Sequence, residues 1–398
     1  MITERSEECS QASRQTGAIQ SAGSQKEVQM KFDVEKSALI EPLQRVVNVL
    51  ERRQTLPILS HVLIECSESG IVLVGTDQEI ELSARIPIDN VVVSGVGAIT
   101  VPGRKLLDIV RHLPEGVVIS CEAEADRFIL RSQRFESQLT TLPASEFPWI
   151  DLAVIADDPI KSSGKALKTL LSKTMFAMAQ QDVRYFFNGM LFEFEAGLLR
   201  CVATNGQRLA ISETSLEEST AGARPILPRK GVIELARLLD SDAEEVRLQF
   251  TDQHVQAEFG LDRFVSKLID AEYPDYTKAI PASSDQSFSC SRNDLKDALV
   301  RTAVLSNEVY KNVRLSLSTG QLEIFTNNPQ QEQAIEQISV DYTKEPLEIG
   351  FNIHFLIEAL SVMSGDSVRV ELSSPSSPCK LEDPDDSSAR FIISPMVL

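Results

Sequence analysis

From Met30 to the C-terminus, apolar residues fall into two patterns, one spaced for helices and one alternating for strands. Leu39, Leu43, Val46 and Leu50 recur at three- and four-residue spacing and predict an amphipathic helix. Leu167, Leu170, Leu171 and Met178 predict a second such helix, and Leu295, Leu299 and Val300 a third. Each is followed by alternating strands, one of which runs into a polar turn: Val72–Asp77, Cys201–Gly206 and Glu323–Asn328. Asp, Asn and Gly suit such turns because they bond local backbone or tolerate positive φ, and Gly206 in particular marks a position needing that freedom or a close backbone approach. A further helix then starts in each copy. Pro102-Gly103-Arg104-Lys105 leads into Leu106–Arg111, Pro228-Arg229-Lys230-Gly231 into Val232–Arg237, and Asn352-Ile353-His354-Phe355 into Leu356–Leu360. The first two copies close alike, on Glu146-Phe147-Pro148-Trp149-Ile150 and Glu272-Tyr273-Pro274-Asp275-Tyr276.

The same order of elements therefore occurs three times at a period of about 120 residues, the size of a domain and not of a solenoid repeat. The expected fold class is α+β, with helices packed on antiparallel sheet in three similar domains at 30–155, 156–284 and 285–398. Residues 1–29 are rich in Ser, Gln and Glu without hydrophobic period, and are expected to be a disordered extension. Three similar units in one chain suggest an arc, which a second copy can close into a ring if its ends are complementary.

Composition excludes several classes. No apolar run is long enough to cross a bilayer and the N-terminus lacks a signal core, so a cytoplasmic location is expected. Cys9, Cys66, Cys121, Cys201, Cys290 and Cys379 are scattered singly and read as reduced. His61, His112, His254 and His354 are equally dispersed, so no local metal site and no cofactor is expected. There is no phosphate loop, nucleophile elbow or His-paired thiol, and the Asp77/Glu79 pair reads as a solvated turn, which argues against an enzyme.

A net charge of −19 argues against nucleic-acid binding over the whole surface. Distribution changes the picture. Arg45, Arg52, Arg53, Arg104, Lys105, Arg111, Lys165, Lys168, Lys173, Arg229, Lys230 and Arg237 lie on expected helices, while acidic clusters such as 122–126, 240–245 and 382–386 lie in strands and loops. Helical cations usually mean only a solvated face. Here they recur at matching places in two copies, so a basic helical surface can serve phosphates although the whole chain is acidic. The third copy departs, with His354 the only potential cation of its second helix.

Read together, Thr55-Leu56-Pro57-Ile58-Leu59, Gly75-Thr76-Asp77, Gln181–Tyr185, Asn188–Glu193, Val202-Ala203-Thr204, Arg208-Leu209-Ala210, Pro228–Leu235, Tyr273–Tyr276, Leu305–Glu308, Ile349–Asn352 and Pro395–Leu398 resemble the beta subunit of bacterial DNA polymerase III, the sliding-clamp family. The likeness runs from about Met30 to Leu398. It implies a head-to-tail homodimer around duplex DNA, with helices inside and sheets outside. It also implies a pocket for clamp-binding peptides of the polymerase III catalytic subunit, the clamp loader and other proteins.

Carried over by the resemblance, that pocket comprises Phe187, Thr204, Gly206, Gln207, Arg208, Leu209, Pro274, Lys278, Ala279, Asn352, Phe355, Ile392, Ser394, Pro395 and Met396. Phe187, Gln207, Lys278 and Ser394 stand where the family pattern has leucine, histidine, arginine and methionine, which puts the peptide preference in doubt. Expected DNA contacts are Arg53, Arg104, Lys105, Arg111, Gln181, Arg184, Tyr185, Arg229 and Lys230, acting on phosphates without reading bases. Expected dimer contacts are Leu139 from one end and Val304 with Leu305 from the other. The competing reading is a peptide-binding scaffold that does not touch DNA.

Overall fold

A computed structural model of the chain describes residues 30–50, 56–150, 159–195, 197–216, 222–239, 245–284 and 286–397. The extension 1–29, Arg52 and Arg53 lie outside the described residues. Among the described residues are six α-helices, two per repeat: α1 (Lys36–Val49), α2 (Gly103–His112), α3 (Gly164–Thr174), α4 (Arg229–Leu238), α5 (Arg292–Ala303) and α6 (Ile353–Val362). Their apolar stripes follow from spacing. Leu39, Leu43, Val46 and Val47 are buried along α1, and Leu167, Leu170 and Leu171 along α3.

Two expectations for these helices need correction. Met178 is not on the second helix, because α3 stops at Thr174, and Met175–Ala177 form a single 3-10 turn. Val300 is exposed, although Leu295 and Leu299 are buried; one residue on from Leu299 means about 100° of rotation, which turns it off the core face.

All strands pair antiparallel, in four sheets. The first is five-stranded and ends on Phe135–Thr140; the last is four-stranded and ends on Gln333–Ser339. Between them lie two eight-stranded sheets, each built from two repeats. Strand Ile80–Pro87 of the first repeat pairs with Asp262–Lys267 of the second, with Leu82 opposite Phe264. Strand Arg208–Ser215 of the second pairs with Asp386–Ile393 of the third, with Ala210 opposite Phe391. Both seams thus join the fourth strand of one repeat to the last strand of the next.

Polar contacts flank these joints. Arg45 meets Asp262 at 2.7 Å and Arg263 meets Glu81 at 3.2 Å across the first seam. Burial pushes the Glu81 and Asp262 carboxyls up, opposed by those arginines. Lys173 on α3 pairs with Asp386 across the second seam. One apolar core runs through all three repeats, and a smaller cluster of Phe187, Leu191, Val202, Leu209, Tyr273, Tyr276 and Ile392 lies beside the second seam. No helix among the described residues is long and apolar enough to cross a membrane. Cys66, Cys121, Cys201 and Cys379 are buried free thiols and Cys290 is a half-buried one.

Candidate functional site

The second seam carries a concavity on each side of one hairpin turn. Thr204 ends the strand Leu198–Thr204, and its hydroxyl donates to the Arg208 carbonyl and accepts from the Gly206 amide. Asn205 Oδ1 accepts from the amides of Gln207 and Arg208 at 3.0 Å each. Gly206 sits at φ +87°, where a Cβ would also come within 2.9 Å of the Arg184 guanidinium. Side chain and backbone together lock the turn, so its position is set before any ligand arrives.

On the sheet side, a cavity of about 310 Å³ is lined by Thr204, Gly206, Gln207, Arg208, Leu209, Lys278, Ala279, Ile280, Pro281, Pro378, Ile392 and Ser394. Its floor is aliphatic and its rim polar. An extended segment fits such a slot with an apolar side chain in the floor and its backbone on the rim. The chain terminus passes alongside: Ser394 N donates to the Gln207 carbonyl and Met396 N to the Gly350 carbonyl, each at 2.8 Å.

Arg208 is the bolt of this seam. Its side chain is nine-tenths buried, and its guanidinium pairs with Glu358 of α6 and donates to the Phe176 carbonyl. It also lies over the Phe176 and Phe355 rings, at 5.1 and 4.4 Å from their centroids. Burial lowers its pKa, and Glu358 opposes that shift. Rings from two repeats therefore grip one cation, joining the packing of the second and third repeats to the pocket wall.

On the helix side, a cavity of about 930 Å³ lies among Gln180, Gln181, Arg184, Arg208, Arg229, Ile233 and Glu358. A second, of about 680 Å³, spans the first seam between Asn48 and Val49 of α1 and Lys230, Ile233 and Glu234 of α4. Gln181 and Ile233 line both, so the two cavities adjoin across the helices. Arg104 donates to the Leu50 carbonyl at 2.9 Å and Arg229 to the Met175 and Met178 carbonyls at 3.5 and 3.4 Å. Both arginines thus bond carbonyls, while acids line the same cavities, Asp182 and Glu358 in the larger and Glu79 and Glu234 in the other.

Comparison with known proteins gives this arrangement a family. Models of the N-terminal, central and C-terminal domains of the DNA polymerase III beta subunit match residues 30–151, 162–275 and 277–397. The beta sliding clamps of Pseudomonas aeruginosa and Escherichia coli K12 are each 41% identical over 93% of this chain and 100% of their own length. The chain belongs to the DNA polymerase III beta subunit family. Its fold also matches a crystal structure of the Pseudomonas aeruginosa sliding clamp bound to griselimycin, with a TM-score of 0.89, 40% identity and coverage of 93% of this chain and 100% of that one. As a beta subunit the chain is a DNA sliding clamp, a replication factor and not an enzyme.

Of the clamp's peptide-pocket residues carried over from sequence, Thr204, Gly206, Gln207, Arg208, Leu209, Lys278, Ala279, Ile392 and Ser394 line the sheet-side cavity. The others lie around it. Phe187 is buried in the adjoining cluster, edge-on to Tyr273, and Pro274 is exposed beside it. Asn352 caps α6, its side chain accepting from His354 N at 3.0 Å, and Phe355 stacks on Arg208. Pro395 and Met396 are half-buried in the terminal strap. Sequence reasoning missed Ile280, Pro281 and Pro378 on the cavity wall, and Glu358 behind it. Glu358 had a legible signal, since it occupies the place in α6 that Asp108 and Glu234 hold in α2 and α4.

The expected DNA contacts divide by partner. Lys105 is exposed, with no ion pair among the described residues, and Arg111 is exposed with Asp108 3.7 Å away. Tyr185 is exposed, and Gln181 takes φ +58° at the cavity edge. Arg184 and Lys230 are less available than the sequence implies. Arg184 is held by Asp182, whose carboxyl it keeps at about 2, and Lys230 pairs with Asp77. Asp77 is accordingly no solvated turn; its side chain is almost wholly buried and accepts from the Glu79 and Ile80 amides. Of the expected dimer contacts, Leu139 is buried in the edge strand Phe135–Thr140, Val304 is 78% exposed just after α5, and Leu305 is half-buried.

Proposed function

We propose that two copies of this chain close head to tail into a six-repeat ring that encircles duplex DNA without reading sequence and tethers the replicative polymerase. The observation that carries it is the strand pairing of the two seams. Each joins a fourth strand to the next repeat's last strand, and the one fourth strand and one last strand left over are Gln333–Ser339 and Phe135–Thr140. Applying the same joint between copies uses both edges and brings the region of Val304 and Leu305 to that of Leu139.

In this reading Lys105, Arg104, Arg111, Arg229, Gln181 and Tyr185 contact phosphates, with Arg184 and Lys230 in lesser roles, and Arg53, outside the described residues, is a further proposed contact. The sheet-side cavity takes clamp-binding peptides of the polymerase III catalytic subunit, the clamp loader and other partners, which anchor an apolar residue against Leu209 and Ile392. Griselimycin, bound by the Pseudomonas aeruginosa relative, is a ready competitor for that test. The repeat boundaries near 155/156 and 284/285 and a cytoplasmic location belong to the same proposal.

The deciding experiment loads labelled protein onto nicked circular DNA and then linearises it. A clamp stays on the circle and runs off the line. A peptide scaffold with no topological link shows no such difference, and that result would replace the proposal with the scaffold reading.

A further inference from the structure

The three helix pairs are not electrically equivalent. From their sequences, α1 with α2 carries a formal charge of +3, α3 with α4 carries +5, and α5 with α6 carries 0. Setting aside the ion pairs that Lys36, Arg45, Lys173, Lys230, Arg301 and Glu358 make with residues outside these helices leaves +1, +3 and 0, so the order stands. The difference arises at matching positions. Arg104 and Lys230 of the second helices correspond to His354 in α6, and Arg111 and Arg237 correspond to Ser361, while the acid of the same face is kept as Glu358. His354, Glu358 and Ser361 are all exposed, so this face of α6 meets solvent as Arg104, Asp108 and Arg111 do on α2. On α5, Arg292 donates to the Gly365 and Leu360 carbonyls and Arg301 pairs with Glu336.

We propose that the duplex is held by the helices of the first two repeats only, and that the third helix pair is a neutral gap in the wall. Phosphate affinity comes from release of condensed counterions, which needs local cations; a pair of zero net charge releases few. In a two-copy ring the gaps lie opposite each other, so the duplex is carried on two cationic arcs. This rests on the clamp reading above.

The test measures affinity of the wild-type ring and its variants for a short fluorescent duplex across about 50 to 200 mM salt, alongside retention on nicked circles. Lys105→Ala and Lys165→Ala are each expected to flatten the slope of log affinity against log salt by about 1.8, one phosphate contact per subunit. Lys296→Ala on α5 leaves the slope unchanged, and the double variant His354→Arg, Ser361→Arg steepens it. The proposal is overturned if Lys296→Ala flattens the slope as much as Lys105→Ala, or if the double variant changes nothing. Retention that ignores DNA circularity instead sinks the clamp reading itself, so the two failures are distinguishable.

Discussion

Replacing Asp386 with Asn removes the anion from Lys173 of α3, a cation buried at the second seam. The Lys173 side chain is 7% exposed, and its ammonium has the Asp386 carboxylate and, at 3.5 Å, the Ser388 hydroxyl. The hydrogen bond from Lys173 holds the Asp386 carboxyl at about 2, against an ordinary 3.8. At about 1.4 kcal/mol per pKa unit the pairing contributes at most about 2.4 kcal/mol, and on the order of 1 to 2 once solvent screening of the part-exposed carboxylate is allowed for. Because the folded pKa is depressed, that contribution is complete above pH 3.8 and is lost as pH falls towards 2.

Urea unfolding of wild type and Asp386→Asn, followed by circular dichroism from pH 7 downward, reads it out. The variant is expected to unfold at lower urea at pH 7, by on the order of 1 to 2 kcal/mol or more if the stranded ammonium finds no water. The two curves then converge below pH 4. A constant gap across that range, or no gap at pH 7, would refute the argument that this ion pair stabilises the seam.

Three further outcomes follow from the same geometry. Glu358→Ala leaves the buried Arg208 guanidinium without its carboxylate and should weaken binding of an apolar clamp-type peptide by about tenfold, equivalent to about 1.4 kcal/mol, in fluorescence anisotropy. Gly206→Ala forces an L side chain to φ +87° against Arg184, costing about 1 to 2 kcal/mol; its melting temperature should fall and peptide affinity with it. Leu305→Ala should move the dimer–monomer equilibrium towards monomer in light scattering at low concentration, whereas the exposed Val183→Ala should not.

The repeat order and the helix starts were readable because local chemistry dictates them. Proline, glycine and the three- to four-residue spacing act within one turn, so Arg104 and Arg229 could be placed without a structure. What could not be read were contacts between distant segments. Leu82 meets Phe264 and Arg208 meets Glu358 only after whole repeats have stacked, and no periodicity encodes that register. Pro378 escaped notice on the pocket wall for the same reason, as it arrives from a loop about 170 residues beyond the turn it faces. Charge reading was incomplete as well. Lys230 and Arg184 count as cations in the chain, but the fold gives each an acid of its own.

The two unpaired edge strands place a demand on curvature. A head-to-tail joint that repeats without closing produces an endless fibre, and nothing in Gln333–Ser339 or Phe135–Thr140 specifies when growth should stop. That decision rests with the bend at each joint, since two internal joints and one between copies must together turn half a circle per subunit. Reshaping Phe264 or Phe391 could therefore leave every repeat folded and still turn a soluble pair into filaments that sediment.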